Sequence, residues 1–405
     1  MSSIIKAPHI YLPRIGVDMS KYAVIACDQY TSNLEYWNSL KEEIGNSVST
    51  FHMIYPEAYL ENTDNESYIT QINKNIDSYL KNNDLVDIGE CFILVERVTT
   101  YGVRRLGLVI SIDLEDYSYE RGSNALIKAS EATIVERIPP RLKIRKDAEV
   151  ELPHVLVLFD DKEKTIVENL YLNRDKLEKV YDFELNKDGG HIRGYKVNNT
   201  KEIIDKFNNL LVKNNNGLLF IVGDGNHSLA TAKAHWDNIK KTLSEKEREN
   251  HPARFALVEA NNLYDEGIIF EPIHRVLFNV DDSFIDELRK TTNGDYVSFT
   301  YSYRRGKEEL RMDKNAPKAY KTIQTFLDSY MKEHPQVKID FIHDEDELIS
   351  VSDKNPHSIA IAMPALTKDD LFDYIAGDLV LPRKSFSMGH ANEKRYYLEA
   401  KKIVK

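Results

Sequence analysis

A short stretch near the middle of the chain predicts a buried strand, a tight polar turn and a helix in direct succession. Residues 218–222 form an apolar run, which is typical of a buried strand. The run ends at Gly-Asp-Gly-Asn-His-Ser, residues 223–228, and Leu229, Ala232 and Trp236 then follow at helical spacing. Alanines between them favour a helix. The pattern therefore predicts a strand–turn–helix unit at this point.

The turn has the chemistry of an anion site. Glycine lets the backbone turn sharply and approach a ligand closely. The first amides of the following helix lack intrahelical acceptors and lie at the positive end of its dipole, which favours phosphate. Asp224 and His227 add an acid and a base, and Gly225 lies between them. The alternative is an ordinary turn in which Asn226 or Ser228 caps the helix. The sequence lacks both the Walker A pattern and the Gly-x-Gly-x-x-Gly fingerprint here.

Composition excludes several classes of protein. The 405 residues are 42% hydrophobic and 29% charged, which is typical of a globular chain. A net charge of -11 argues against a nucleic-acid binder that relies on a basic surface. Cys27 and Cys91 cannot form a disulfide framework and indicate a reducing compartment. There is no membrane-length apolar run and no signal-peptide core, so we expect a cytoplasmic protein.

A second strand–turn–helix junction is predicted near the N-terminus. Residues 22–26 are apolar and precede a predicted helix at 34–43. Polar residues at the carboxyl end of a strand are where α/β proteins tend to place sites. Helix capping by two of these side chains is the alternative. The candidates at this junction are Asp28, Gln29, Thr31 and Ser32.

The segment at residues 125–145 combines charges with apolar anchors. Pro139 and Pro140 are expected to stop any regular element there. Arginines on such an anchored loop can bind phosphate or carboxylate through a bidentate fork, although a solvated charged segment is the alternative. The candidates are Glu131, Thr133, Arg137 and Arg141.

Other strands and helices alternate along the rest of the chain. Residues 91–98 and 106–112 predict a hairpin, with Arg104 and Arg105 expected as turn charges. Residues 281–360 predict a smaller α/β insert whose helices lie near 281–291 and 316–333 and whose strands lie near 296–302, 338–342 and 358–362.

Two further polar groups have more than a composition signal. The acidic run 344–347 is most simply solvated. His274, next to Arg275, reads either as a buried, hydrogen-bonded histidine or as part of a site.

The central turn carries a family resemblance. Residues 223–228, followed by Leu-Ala-Thr-Ala, resemble the Asp-Gly-His-His-Arg turn of the domain of unknown function 1015 family. That turn is similar to the phosphate-binding turn of the ParB/sulfiredoxin superfamily, which includes free-serine kinases. Asn226 stands where the family often has His, and Ser228 where it has Arg, so a phosphate-binding cation must come from elsewhere. Further matching stretches cover most of the chain, at residues 23–32, 135–142, 270–277 and 381–389.

Other residues match the family individually. Glu131, Thr133 and Arg141 match its His-Glu-x-Thr and Asp-Arg-Leu motifs, whereas Ser130 and Pro140 replace the His and the Asp. The family also carries a His-Arg pair like that at residues 274–275. The resemblance implies an α/β (α+β) protein with a ParB/sulfiredoxin-like core and additional mixed-sheet elements. We divide it into an α/β core (1–280), a smaller insert (281–375) and a C-terminal segment returning to the site (376–405).

The resemblance implies a small-molecule kinase that phosphorylates free L-serine to O-phosphoserine with ATP, ADP or pyrophosphate. Carboxylates near phosphates also suggest Mg²⁺, with Asp224 as a candidate ligand. The candidate catalytic residues are Asp28, Glu131, Asp224 and His227, where any of the three carboxylates could be the base. The candidates for phosphate binding are Gly225, Asn226, Ser228, Arg137, Arg141, His274, Arg275, Arg383 and Lys384. Those for substrate binding are Gln29, Thr31, Ser32 and Thr133.

Two other functions remain open from the residues alone. One is a nucleotide- or metabolite-binding regulator without turnover, and the other is a phosphoester hydrolase on the same turn. The kinase hypothesis predicts that basic groups distant in sequence converge on residues 224–228 and line one cleft with Asp28 and Glu131. No nucleic acid or membrane partner is expected, and the oligomeric state stays open.

Overall fold

The chain forms two compact units. The computed structural model describes residues 4–60, 65–120, 122–131, 133, 138–214, 217–281, 283–377 and 380–405. The first unit comprises Met1–Ala129, Thr133–Ile268 and His390–Lys405, and the second comprises Ser130–Ala132 and Ile269–Gly389. The predicted boundaries at residues 280 and 375 therefore both lie within the second unit, and the C-terminal residues belong to the first.

The first unit contains both helices and many short strands. Its helices are α1 (Met19–Tyr22), α2 (Leu34–Ile44), α3 (Asn65–Lys81), α4 (Ile138–Lys146), α5 (Val167–Leu172), α6 (Thr200–Asn214), α7 (Asn226–Ile239) and α8 (Glu245–Glu249). Its first strands are β1 (Ile5–Lys6), β2 (His9–Pro13), β3 (Val24–Ile25), β4 (Leu85–Glu90), β5 (Phe92–Val98), β6 (Arg104–Asp113), β7 (Tyr117–Ser118), β8 (Ile127–Ala129) and β9 (Val150–Glu151). Then follow β10 (Leu156–Phe159), β11 (Glu178–Leu185), β12 (Gly190–Val197), β13 (Phe220–Asp224) and β14 (Phe255–Asn262).

A large mixed sheet organises this unit. Its strand order is β11-β12-β5-β6-β14-β10-β13-β8-β7, with β1 paired to β6. The pairs β10–β14, β13–β8 and β7–β8 are parallel, whereas β10–β13 and the others along this order are antiparallel. Helices accompany the sheet, so the expected α/β (α+β) class with mixed-sheet elements is confirmed.

The sheet separates two hydrophobic cores. Successive side chains of a strand point to opposite faces. Accordingly Phe92 and Leu94 of β5 belong to one core, while Ile93 and Val95 belong to the other. Helix α7 packs Leu229, Ala232 and Trp236 into the first core, as their helical spacing predicted. Among the described residues, no helix combines the length and the apolar character needed to cross a membrane.

The second unit is a smaller α/β unit. Its helices are α9 (Ser283–Thr291), α10 (Ala316–Glu333), α11 (Glu345–Asp353) and α12 (Lys368–Ala376). Its strands are β15 (Phe270–Pro272), β16 (His274–Phe278), β17 (Tyr296–Ser302), β18 (Gly306–Met312), β19 (Lys338–Ile342), β20 (Ser358–Ile361) and β21 (Phe386–Met388). The antiparallel sheet has the order β18-β17-β20-β16-β19, and β15 pairs with β21. The helices and strands expected between residues 281 and 360 are confirmed, and β18 and α11 are additions. The C-terminal strands β22 (Tyr396–Tyr397) and β23 (Lys401–Lys402) lie in the first unit.

Two local expectations are wrong, and a third is confirmed. Pro139 and Pro140 do not stop regular structure but lie in the first turn of α4, where a missing amide costs nothing. Arg104 and Arg105 are not turn charges, because both lie in β6 and Arg105 is buried opposite Arg97. The acidic run 344–347 is exposed, as expected, and it forms the N-cap and first turn of α11. Asp344 accepts a hydrogen bond from the Glu347 amide at 2.9 Å, and the acidic side chains after it lie at the favourable end of the helix dipole.

Candidate phosphate-binding site

The predicted strand–turn–helix unit is present. Strand β13 ends at Asp224, helix α7 begins at Asn226, and Gly225 joins them with φ +84°. A Cβ at Gly225 would lie 3.0 Å from Val155 Cα, so both the conformation and the space require glycine. Gly225 occupies the N-cap position of α7, and as a glycine it has no side chain that could cap the helix. The alternative of capping by Asn226 or Ser228 is therefore wrong.

A lysine from the C-terminal segment lies beside the turn. Lys394 Nζ is 3.2 Å from Asp224 Oδ2, and Asp224 Oδ1 accepts from the Gly225 amide at 2.9 Å. Lys394 is only 9% exposed, so its charge is largely shielded from solvent. Lys394 was not among the predicted site residues, because no motif marks the short charged segment in which it lies. A cation distant in sequence therefore lies next to a turn that has no cation of its own between residues 224 and 228.

A buried arginine holds the backbone that carries Lys394. Arg97, on β5, donates to the carbonyl oxygens of Glu393 at 2.8 Å, Lys394 at 2.5 Å and Asn392 at 2.7 Å. It also donates twice to Gly189 O, at 2.9 and 3.2 Å. Burial, reinforced by the nearby Arg105, lowers the pKa of Arg97 to about 9. The Arg97 guanidinium therefore holds the backbone of the segment before β22 in place.

His154 links the turn to the C-terminal strand. Its Nε2 lies 2.6 Å from Ser228 Oγ, and its Nδ1 lies 2.9 Å from the Tyr397 hydroxyl. Tyr397 donates to Cys27 Sγ at 3.1 Å, which leaves its oxygen to accept from Nδ1–H of His154. Burial raises the pKa of the Cys27 thiol to about 12, which keeps it protonated. His154 was not among the predicted site residues either, because the apolar residues that follow it predict only a buried strand.

Asp28 lies at the second predicted junction, after β3, and is surrounded by positive groups. Burial by itself would raise its pKa, but His154, a hydrogen bond from Gln29 Nε2 at 3.0 Å, Lys394 and Arg141 together lower it. The carboxylate is therefore held in its ionised form.

The other candidates at this junction behave differently. Thr31 and Ser32 are exposed, and Asn33 caps α2 by accepting from Tyr36 N at 3.0 Å. Capping by Thr31 or Ser32, the alternative weighed for them, is therefore wrong. His227 lies half-buried in the first turn of α7, and its carbonyl accepts from Thr231 Oγ1 at 2.7 Å.

A cavity of about 190 Å³ lies in the first unit, with an apolar wall and a polar side. Arg141, a predicted phosphate ligand, lines this cavity and forms an ion pair with Glu57. The two side chains are 22% and 20% exposed. The other polar groups of the lining include Cys27, His154, Ser228, Thr231 and Tyr397. The serine of the turn and its histidine partner therefore face the same space as the ion pair.

The second unit contains another group of predicted site residues. Glu131 accepts from the Lys384 amide at 3.2 Å and from the Ser385 amide at 3.1 Å, and burial raises its pKa despite these bonds. Arg275 is fully buried and donates to the carbonyls of Ile273 and Lys384. Its cationic role in phosphate binding stays a prediction, as does that of the exposed side chains at 383–384.

Three other residues were candidates from the sequence: His274, Thr133 and Arg137. His274 accepts from the Met363 amide at 3.0 Å, and burial lowers its pKa to about 4, so it is a neutral, hydrogen-bonded histidine. Thr133 belongs to the first unit, and its Oγ1 is buried without a hydrogen bond among the described residues. Arg137 lies outside the described residues. The convergence of the basic groups of both units in one cleft stays a prediction.

The carboxylates of Asp28 and Asp224 suit a magnesium ion that is also bound by a phosphate ligand. Among the described residues, no cluster of three or more His, Cys, Asp or Glu side chains could hold a metal. Mg²⁺ commonly binds through one or two carboxylates together with substrate phosphates and water. Asp28 and Asp224 are the carboxylates at the two junctions, and both already have a cationic neighbour. The site therefore suits Mg²⁺ that arrives with a phosphate ligand better than a resident metal.

The fold and the site define an α/β protein with a glycine turn at a helix N-terminus and a buried lysine beside it. The model of the family described as "Protein of unknown function (DUF1015)" matches residues 12–402, and the chain belongs to this family. No curated protein matches it.

Solved structures similar to the chain have low sequence identity. They include a free serine kinase in complex with AMP, which is 9% identical to this chain with a TM-score of 0.37. The match covers 72% of this chain and 87% of the kinase chain. A conserved hypothetical protein from Pyrococcus furiosus is 9% identical with a TM-score of 0.34, covering 72% and 90%. SbnI from Staphylococcus aureus with a C-terminal truncation is 10% identical with a TM-score of 0.37, covering 69% and 81%. Likeness at this level does not carry an activity from one protein to another.

Proposed function

We propose that the protein is a small-molecule kinase that phosphorylates free L-serine to O-phosphoserine. The observation that carries the proposal is the pairing of Lys394 with Asp224 at the turn between β13 and α7. Phosphoryl transfer depends mainly on positioning and on neutralising the charge of the phosphates. A helix N-terminus contributes about 0.3–1 kcal/mol at an exposed site, which is too little for several phosphate charges. Lys394 places an ammonium group beside the turn, and this group can bind a phosphate oxygen while Asp224 offsets part of its charge.

In this proposal the turn at residues 224–228 binds the donor phosphates. Amides of the first turn of α7 and Lys394 Nζ neutralise their charge, and Ser228 is held in orientation by His154. Mg²⁺ bound to the donor would add charge neutralisation, with Asp224 as its protein ligand. ATP, ADP and pyrophosphate all present a terminal phosphoanhydride to such a site.

Asp28 is the base that we assign to the transfer. The serine hydroxyl oxygen attacks the terminal phosphorus, the bond from phosphorus to the leaving phosphate breaks, and the hydroxyl proton passes to the Asp28 carboxylate. A base of lowered pKa suffices when the transition state is loose and the proton moves late. The cationic neighbours of Asp28 keep it ionised and ready to accept. Cys27 and Cys91 are both thiols, which fits the cytoplasm as the proposed location.

A donor screen tests the proposal. Purified protein is incubated with L-serine, Mg²⁺ and each of ATP, ADP and pyrophosphate, and O-phosphoserine is measured by liquid chromatography and mass spectrometry. The proposal expects O-phosphoserine with at least one donor. Donor consumption that is the same without serine would instead identify a phosphoester or phosphoanhydride hydrolase. Donor binding without any consumption would identify a regulatory protein.

A further inference from the structure

The ion pair between Glu57 and Arg141 is placed where a structural role would be costly. Both side chains are about four-fifths buried and line the 190 Å³ cavity. Much of the remaining wall is apolar, including Met53, Ile54, Leu60, Ile72, Ile76 and Ile144. Removing two charges from water costs several kcal/mol per ion in such surroundings, and their mutual attraction does not reliably recover it. A pair that faces a cavity, however, can exchange its partner for the charges of a ligand.

The pair lies beside the groups that we assign to phosphoryl transfer. The Glu57 amide donates to the Cys27 carbonyl at 2.8 Å, which holds Glu57 next to the junction that carries Asp28. Arg141 is one of the positive groups that lower the pKa of Asp28. His154 and Ser228 line the same cavity. A molecule bound between Glu57 and Arg141 would therefore have both the base and the phosphate turn within reach.

The charges of the pair match those of a free α-amino acid. Its ammonium group would take the place of Arg141 beside Glu57, and its carboxylate would take the place of Glu57 in the fork of Arg141. One ion pair becomes two, and the net charge of the cavity does not change. A liquid water molecule occupies about 30 Å³, so the cavity has room for roughly six waters. That space is close to what the seven heavy atoms of serine require.

We propose that Glu57 and Arg141 bind the α-ammonium and the α-carboxylate of the amino acid substrate and leave its hydroxyl toward Asp28. This inference rests on the proposed function and deepens it, because it names the groups that select a zwitterion. The site then discriminates against hydroxy compounds that carry only one of the two charges. Glycerate lacks the ammonium group, and ethanolamine lacks the carboxylate.

The test compares these three acceptors in matched variants. In Glu57→Gln we expect kcat/KM for L-serine to fall about 10- to 100-fold, the effect of losing one hydrogen bond to a charged group. The preference for L-serine over D-glycerate should fall by about the same factor, because glycerate has no ammonium group and therefore no interaction with Glu57 that the substitution could remove. Arg141→Gln should lower the preference for L-serine over ethanolamine in the same way. Arg141→Lys keeps the charge but loses the fork, and should fall between wild type and Arg141→Gln. An equal loss for all three acceptors would overturn the inference.

Binding without a donor separates this inference from the kinase assignment. Isothermal titration of L-serine into the wild-type protein should give a heat that Glu57→Gln and Arg141→Gln both abolish, while circular dichroism shows that the variants remain folded. Serine binding that depends on both residues, without O-phosphoserine from any donor, would support the amino acid site and remove the kinase. Turnover of serine with unchanged selectivity in both variants would support the kinase and remove the amino acid site. Absence of serine binding to the wild-type protein would also overturn the site.

Discussion

Replacing Lys394 with Met tests the cation that we place at the turn. Methionine has a similar length and keeps the buried methylene packing, but removes the charge 3.2 Å from Asp224 Oδ2. At that distance two unit charges interact by about 5 kcal/mol with an effective dielectric constant of 20. Part of this is offset by desolvation, and losing one preorganised group on a developing charge typically lowers kcat about 100- to 1,000-fold. We expect O-phosphoserine formation to fall within that range, with a loss of about 3 kcal/mol in unfolding free energy, because the substitution leaves the partly buried Asp224 carboxylate without its cation.

The same substitution should change the pH dependence. Asp28 acts as a base only when it is ionised, so wild-type activity is lost as the pH falls through its pKa, which lies below the ordinary value of 3.8. Lys394 is one of the groups that lower this pKa, so the acid limb should move to higher pH in Lys394→Met. Initial rates of O-phosphoserine formation across pH give both quantities, with Lys394→Arg as the charge-preserving control. Activity within about threefold of wild type in a folded Lys394→Met protein would refute the assignment.

Three further predictions concern the turn itself. Gly225→Ala should cost about 1–3 kcal/mol in unfolding free energy, because φ is +84° and the new Cβ would meet Val155, and urea denaturation showing wild-type stability would contradict this. Asp224→Asn should lower turnover at least about 100-fold and lower the melting temperature while the fold is retained, because Lys394 loses its carboxylate partner, whereas loss of folding along with activity would indicate a structural role. Pyrophosphate or sulfate should raise the melting temperature, by about 2.7 kcal/mol of stabilisation at 100 times its dissociation constant. The shift should shrink in Lys394→Met, and equal shifts in both proteins would place the anion elsewhere.

The local part of the site could be predicted from sequence because its signals are local. An apolar run, two glycines and helical spacing within fifteen residues or so define β13, the turn and α7 without any distant contact. Gly225 is required by its own backbone conformation and by the approach of Val155. The second junction, with Asp28 after a short buried strand, could be found by the same reasoning.

The distant part of the site could not be predicted in this way. Lys394 reaches Asp224 only because β22 pairs with β3 and because Arg97 binds the carbonyls before β22. Neither the pairing nor the hydrogen bonds leave a pattern at Lys394 itself. The only sequence signal was indirect, since Ser228 stands where the family has a cation and a replacement was therefore required. The candidates that we named for this replacement were mainly arginines, and Lys394 was not among them.

For some side chains we predicted a role from the residue type alone, although the role is decided by the surroundings of the side chain in the fold. The neighbours of His274 in sequence are apolar whether it is a core histidine or a ligand. Its hydrogen bond from the Met363 amide and its own burial identify it as a neutral core histidine. Arg141 was assigned to phosphate because arginine binds it well, yet its contact in the fold is Glu57. Pro139 and Pro140 were expected to break structure, although proline in a first helical turn is favourable.

The most direct test of the central claim follows phosphorus through the reaction. Wild-type protein, L-serine, Mg²⁺ and the best phosphoryl donor are observed by ³¹P nuclear magnetic resonance, with a parallel sample that lacks serine. The account predicts that the O-phosphoserine resonance grows as the donor resonance declines, in equal amounts, and that the donor is stable without serine. Inorganic phosphate appearing at the same rate in both samples, with no O-phosphoserine, would contradict it.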